Sequence, residues 1–211
     1  MTRVEDRLTV YADYVCPFCY LGRRSLDTFR EASDYEVEID WHPYDLRSQT
    51  RGPDGELDHS VDDGKDEAYF DQVRENVERL KASYGAEEMR SIDDRPEHVD
   101  SLNAQLASMF VQREHPASWL DFDAAIYEAL WVDGRDIGNV EVLIDVAETV
   151  GLDGDEIEAC LADDDLREQL STQFIAAQQA GITGVPTFVY DGYVARGAVP
   201  PEQLERLIEG S

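Results

Sequence analysis

The chain has 211 residues, 42% of them apolar, which is enough for one large domain or a domain carrying a sizeable insertion, and wholesale disorder is excluded. It carries 47 acidic residues against 18 basic ones, a net charge of −29, and only two of the bases are lysines, Lys65 and Lys81. Acids spread along the whole chain form a coat rather than a tail, which argues against nucleic acid and anionic membranes as partners and fits a salt-rich cytosol, where a Debye length of about 3 Å removes much of the self-repulsion.

Residues 8–14 are β-prone and predict a first strand. A helix follows over 17–32, with Leu21, Leu26 and Phe29 among its apolar positions. Residues 35–42 alternate apolar with polar, so Tyr35, Val37, Ile39 and Trp41 are expected on one face of a half-buried strand. The polar stretch 45–66, with Gly52-Pro53 and Asp54-Gly55, reads as loop. From 67 to 180 the period becomes helical. Phe70, Val73, Val77, Leu80 and Tyr84 make one stripe, stopped by Gly85. Leu102, Leu106, Met109 and Phe110 make the second, and Phe122, Ile126, Ala129 and Leu130 the third. Val140, Leu143, Ile144, Ala147 and Val150 make the fourth, opened by Asn139 and closed by Gly151. Leu166, Leu170, Phe174 and Ala177 make the fifth, and all five read as core. Two short β segments, 186–190 and 193–196, flank Asp191-Gly192, a hairpin signal. Pro200 and Pro201 open a last helix with Leu204, Leu207 and Ile208 inward. The division this predicts is an α/β unit over 1–64 and 181–211, with an all-helical domain, 65–180, inserted into it. No apolar run reaches the length of a membrane span, and the N-terminus lacks the apolar stretch of a secretory signal, so a cytoplasmic location is expected.

Cys16-Pro17-Phe18-Cys19 carries the chemistry. It follows a predicted strand and opens a predicted helix. The sulfurs are three residues apart, so one turn sets them on the same side. Pro17 suits the first turn, where a missing N–H costs nothing. Unpaired amides and the helix dipole favour a negative first sulfur, which makes Cys16 the expected nucleophile and Cys19 the resolving thiol. Half of a zinc site is the first alternative, but the remaining candidates (Cys160, His42, His59, His98 and His115) stand at no paired spacing, so no metal is expected. A pair of inert core cysteines is the second, and proline inside a strand–CxxC–helix context opposes it. Cys160 reads as a buried free thiol. Arg23 and Arg24 read as solvated helix surface. Asp13 and Asp40, at the ends of predicted strands, are candidate proton acceptors beside Cys19. A distant stretch, Gly184-Val185-Pro186-Thr187-Phe188-Val189, gains meaning only jointly with the cysteines, since a proline heading an edge strand is common.

Together these motifs resemble the DsbA-like branch of the thioredoxin superfamily. More narrowly, Asp13 to Gly22, Gly134 to Asn139 and Gly181 to Val189 are similar to the cytosolic FrnE type, and the similarity covers nearly the whole chain apart from the loop at 45–66. The resemblance implies a thioredoxin-like fold with a large helical insertion. It implies that Pro186 is a cis-proline packed beside the cysteine pair and that Val185 offers backbone hydrogen bonds to a thiol substrate, with Pro17 and Phe18 also at the binding surface. Two positions depart from the family: Phe18 stands where Trp is frequent, and Ser101-Leu102-Asn103-Ala104-Gln105 replaces an Asn-Thr…His pattern.

The activity expected is thiol–disulfide exchange on protein or small-molecule thiols and disulfides, with no cofactor, because the sulfurs carry both electrons. Redox direction and oligomeric state stay open. A small-thiol-dependent isomerase or transferase, of the hydroxychromene carboxylate isomerase or kappa-class glutathione transferase type, is the second reading; those enzymes typically have Ser at the first motif position. A non-enzymatic binding or chaperone module is the third.

Overall fold

The computed structural model describes residues 7–210 apart from Asp34, Pro53, Asp54, His59 and Asp63. The Gly52-Pro53 and Asp54-Gly55 turn signals and His59 therefore fall wholly or partly outside the described residues.

Four strands form one mixed sheet. They are β1 (Arg7–Ala12), β2 (Glu38–Pro43), β3 (Thr187–Tyr190) and β4 (Tyr193–Arg196), in the order β2-β1-β3-β4. β1 runs parallel to β2, as expected when a helix makes the crossover, and antiparallel to β3. That crossover is α1 (Pro17–Ala32). β3 and β4 form the hairpin, with Tyr190 opposite Tyr193. Its two turn residues both have positive φ, Asp191 at 46° and Gly192 at 83°, which is what the tight turn requires of them. The last helix, α8 (Pro201–Glu209), lies beside α1 and buries Leu204, Leu207 and Ile208.

Between β2 and β3 come α2 (Glu67–Lys81), α3 (Leu102–Glu114), α4 (Trp119–Trp131), α5 (Val140–Thr149), α6 (Gly154–Leu161) and α7 (Asp164–Gln179). The acid-rich sequence starts these helices with side-chain caps. Asp66, Asn139, Asp153 and Asp163 each accept a backbone N–H of the first turn of α2, α5, α6 and α7. The third stripe is the most deeply buried: Phe122, Ile126, Ala129 and Leu130 of α4 are all at 2% exposure or less. In α2 only Val77 is fully buried, and Phe70, Val73 and Leu80 pack against the core from its margin.

Two details differ from the sequence reading. β2 begins at Glu38, so Tyr35 lies before it, exposed, with its hydroxyl donating to Glu209 at 3.1 Å. Period-two alternation continued past the point where β1 offers a partner. The stretch 45–66 also holds a 3-10 turn (Ser48–Thr50) and a bridge between Arg51 and Leu57. Arg51 braces it, paired with Asp45 and Asp100 at 2.7 Å each. The architecture is a thioredoxin-like α/β sheet with its helices, as the motifs implied.

Candidate active site

Residues 13–16 carry the chain from the end of β1 to the start of α1. Cys16 is the N-cap residue of α1, with an extended backbone at φ −86° and ψ 117°. Its N–H donates to the Asp13 carbonyl at 3.1 Å, and its own carbonyl accepts from the Cys19 N–H at 3.0 Å. Pro17 occupies the first turn. Both sulfur-bearing residues are buried, Cys16 at 4% and Cys19 at 2% exposure, while Pro17 and Phe18 are half-buried at the rim. Burial pushes the Cys19 thiol well above the ordinary cysteine range, and the neighbouring Cys16 sulfur pushes the same way.

The loop before β3 meets this pair. The Cys16 thiol donates to the Val185 carbonyl at 3.6 Å, and the Val185–Pro186 peptide bond is cis. Pro186 is buried and Val185 half-buried. Gly22 makes the approach possible, since a Cβ there would stand 3.0 Å from Pro186 Cγ and 3.4 Å from Phe188 Cζ. Residues 169 positions apart thus meet at the N-terminal end of one helix.

Of the two candidate carboxylates, only Asp13 is at the pair. It is 1% exposed and accepts from Ser101 Oγ at 2.6 Å, the Leu46 N–H at 2.9 Å and the Val15 N–H at 3.2 Å. Burial raises its pKa to about 6 despite those three donors. Its backbone N–H and its charge both act on Cys19. Asp40 instead pairs with His42 at 3.2 Å and Arg7 at 3.6 Å. The His42 hydrogen bond, with the attraction of His42 and Arg7, holds its carboxyl below the ordinary range.

Arg23 is not solvated surface as the sequence suggested. Its side chain is 10% exposed, bound to Asp123 of α4 at 2.7 Å, to Asp27 and to the Leu120 carbonyl at 3.0 Å. Helix spacing alone could not show that an acid 100 residues later turns toward it. Arg24 remains at the surface, donating to the Gly85 carbonyl at 2.7 Å.

Several positioning residues carried no local signal. The Tyr14 hydroxyl donates to Asp123 at 2.8 Å and lies 2.7 Å from Ser108 Oγ. Trp131 Nε1 donates to the Tyr14 carbonyl at 2.8 Å. These bonds tie the segment just before the cysteines to α3 and α4. The departure at 101–105 has a role here as well: Ser101 holds Asp13, and Gln105 donates to Ser101 at 3.1 Å while accepting from the Tyr44 N–H at 3.1 Å.

A cleft of ≈ 540 Å³ opens beside Cys16, walled by Phe18, Arg47, Phe70, Val73, Arg95 and Val185. Among the described residues, no three His, Cys, Asp or Glu side chains cluster to hold a metal ion, and no helix is long and apolar enough to cross a membrane. Cys160 is buried in α6, and burial pushes its thiol up to about 12.

Comparison with known proteins points the same way. An uncharacterized protein of Bacillus subtilis, YwbO, is 27% identical over 204 residues, covering 95% of this chain and 94% of its own. The fold matches that of a probable DsbA oxidoreductase from Streptomyces coelicolor, with a TM-score of 0.78 at 24% identity over 97% of this chain and 90% of that one. It also matches that of a 2-hydroxychromene-2-carboxylate isomerase, with a TM-score of 0.75 at 20% identity over 97% and 93%. The sequence model of the DSBA-like thioredoxin domain matches residues 7–209, and the chain belongs to that family.

Proposed function

We propose that the protein is a dithiol–disulfide oxidoreductase of the cytosolic FrnE type, working in a salt-rich cell, with Cys16 as nucleophile and Cys19 as resolving thiol. The reading is carried by one observation. The first sulfur of a CxxC pair stands at a helix N-cap, in the lining of a cleft, against the Val185 carbonyl. Cys16 as thiolate attacks one sulfur of a partner disulfide, breaking its S–S bond and forming a mixed disulfide. Cys19 then attacks the Cys16 sulfur and releases the second thiol. Two electrons pass from the pair to the partner, and the reverse sequence oxidises a dithiol. Burial opposes ionisation of Cys19, so the resolving step needs a proton acceptor. Asp13 is the one at hand, poised by burial near pH 6. Pro17, Phe18 and Val185 form the rim that receives the partner, with Pro186 packed behind them as part of the binding surface. The extended edge at Val185 supplies backbone hydrogen bonds to it. Residues 1–64 with 181–211 act as the thioredoxin-like unit, and 65–180 as a helical domain that fixes the cysteine segment through Tyr14 and Asp13. A coat of −29 suits such a protein to high salt.

The decisive experiment is trapping. Cys19→Ser accumulates mixed disulfides on Cys16, visible as reducible adducts on non-reducing gels, whereas Cys16→Ser abolishes exchange. Absence of any adduct on Cys19→Ser, with lysate proteins and with small disulfides alike, overturns the mechanism. Insulin reduction measured beside glutathione conjugation separates it from the transferase reading.

A further inference from the structure

Resting on the exchange reading above, we propose that the Cys16 cleft selects a low-molecular-weight disulfide bearing carboxylates, and that Arg47 and Arg95 are the residues that select it. The argument starts from charge matching. In a chain with 47 acids and 18 bases, arginines have carboxylates to spare, and Arg23, Arg51 and Arg74 each bind two or more of them. Arg47 and Arg95 do not. Among the described residues neither has a carboxylate at ion-pair distance. Arg47 donates to the Val99 carbonyl, and Arg95 Nη1 reaches the Val15 carbonyl at 3.5 Å. Asp100, which feels the charge of Arg47, and Asp93, which acts on Arg95, are hydrogen-bonded elsewhere, to Arg51 at 2.7 Å and to Arg74 at 3.0 Å.

Burial disfavours the charged form of Arg95, the charge of Arg47 adds to it, and Asp93 and the Cys16 sulfur act on it in the opposite sense. Both line the same cleft. Each fork has five donors, and among the described residues the hydrogen bonds to Val99 and Val15 use few of them, which leaves donors that an incoming carboxylate satisfies.

Position ties the pair to the chemistry. Arg95 bonds to the residue immediately before the nucleophile. A disulfide whose sulfur meets Cys16 brings a carboxylate one or two carbons away into the reach of that guanidinium. Size and accessibility favour a small molecule over a folded protein: the cleft of ≈ 540 Å³ is of small-ligand size, and Cys16, which lines it, is only 4% exposed. Phe70 and Val73 offer apolar wall for the carbon chain.

The reaction balances without a further reagent. Cys16 thiolate attacks one sulfur of the small disulfide, whose S–S bond breaks, and one carboxylate-bearing thiolate leaves. Cys19, deprotonated, attacks the Cys16 sulfur, forms the Cys16–Cys19 bond and releases the second. Two electrons move from the protein to the small disulfide, and the two thiol protons end on the two released thiols.

The test is a charge series in single turnover. Pre-reduced protein in molar KCl is mixed with dithiodiglycolate, bis(2-hydroxyethyl) disulfide or cystamine, which are anionic, neutral and cationic disulfides of similar size. Each rate constant is divided by that of the same disulfide with free 2-mercaptoethanol. The normalised preference for dithiodiglycolate over the neutral disulfide is expected to be about tenfold, the worth of one charge-assisted hydrogen bond. Arg47→Gln and Arg95→Gln each collapse that ratio toward one, and Arg95→Lys keeps part of it. Equal normalised rates for all three disulfides, or variants that slow the anionic and neutral probes by the same factor, overturn the proposal. In either case exchange itself persists. Failure to react with any disulfide strikes at the exchange reading instead.

Discussion

Asp13→Asn isolates the energetic cost of the buried carboxyl beside Cys19. Burial lifts Asp13 from its ordinary value of 3.8 to about 6. Two pKa units correspond to about 3 kcal/mol of preference for the protonated form in the native state. The sign follows from proton binding. Between about pH 4 and pH 6 the folded protein holds a proton on Asp13 that the unfolded chain has released, so this group's contribution to stability falls as pH rises through that window. Below about pH 4 both states are protonated and the contribution is complete. Above about pH 6 it is lost. Asparagine resembles the protonated form at every pH. The stability of Asp13→Asn relative to the unsubstituted protein should therefore rise by up to about 3 kcal/mol between roughly pH 4 and pH 7.5. The other 46 acids titrate in both proteins and cancel in the difference, most fully in molar salt. Urea unfolding of both proteins at about pH 4.5, 6 and 7.5 in molar KCl reads this directly. The rate of the resolving step should also lose its inflection near pH 6. A stability difference that stays constant across the series refutes the assignment of a raised, solitary titration to Asp13.

Three other changes test the packing around the pair. Gly22→Ala puts a methyl group 3.0 Å from Pro186 Cγ, a contact tight enough that Pro186 must give way beside the cysteine pair; a loss of about 1–3 kcal/mol in chemical denaturation and slower exchange are expected. Arg23→Gln leaves Asp123 without its cation in a pair whose side chains are 10% and 2% exposed, so denaturation should show a loss of about 3–5 kcal/mol. A chain of net charge −29 should gain stability as KCl rises from tenths molar to molar, and a flat urea midpoint over that range contradicts self-repulsion as a destabilising factor.

The elements whose signals are local were legible in the sequence. Asn139 caps α5, Asp191-Gly192 turns the final hairpin, and the Pro17–Ala32 helix begins where proline allows. Each is decided by residues within one turn of each other. Cys16 and Cys19 were visible for the same reason, and Val185-Pro186 became visible by pairing with them. Tyr35 shows the limit of such signals. Alternation predicts that a residue can lie on a strand face, but hydrogen-bond pairing decides where the strand starts, and β1 pairs only from Glu38 onward.

What was not legible is the buried polar frame that holds the cysteine segment. Asp13 meets Ser101, Tyr14 meets Ser108 and Asp123, and Arg23 meets Asp123, across separations of 88 to 109 residues. Each partner taken alone is an ordinary helix or loop residue. Yet a buried polar group without a partner costs more than a satisfied one returns, so these side chains constrain one another far more tightly than apolar neighbours do. The frame explains why the departure at Ser101–Gln105 still serves the site, since Ser101 and Gln105 bond to each other and, through Asp13, reach the cysteine pair. It also accounts for the division of labour within the chain. The sheet and α1 supply the sulfurs and the Val185 loop, whereas α3 and α4 fix the angle at which β1 delivers Cys16 to the helix. The proposed exchange chemistry thus depends on the helical segment for geometry, although neither Cys16 nor Cys19 belongs to it.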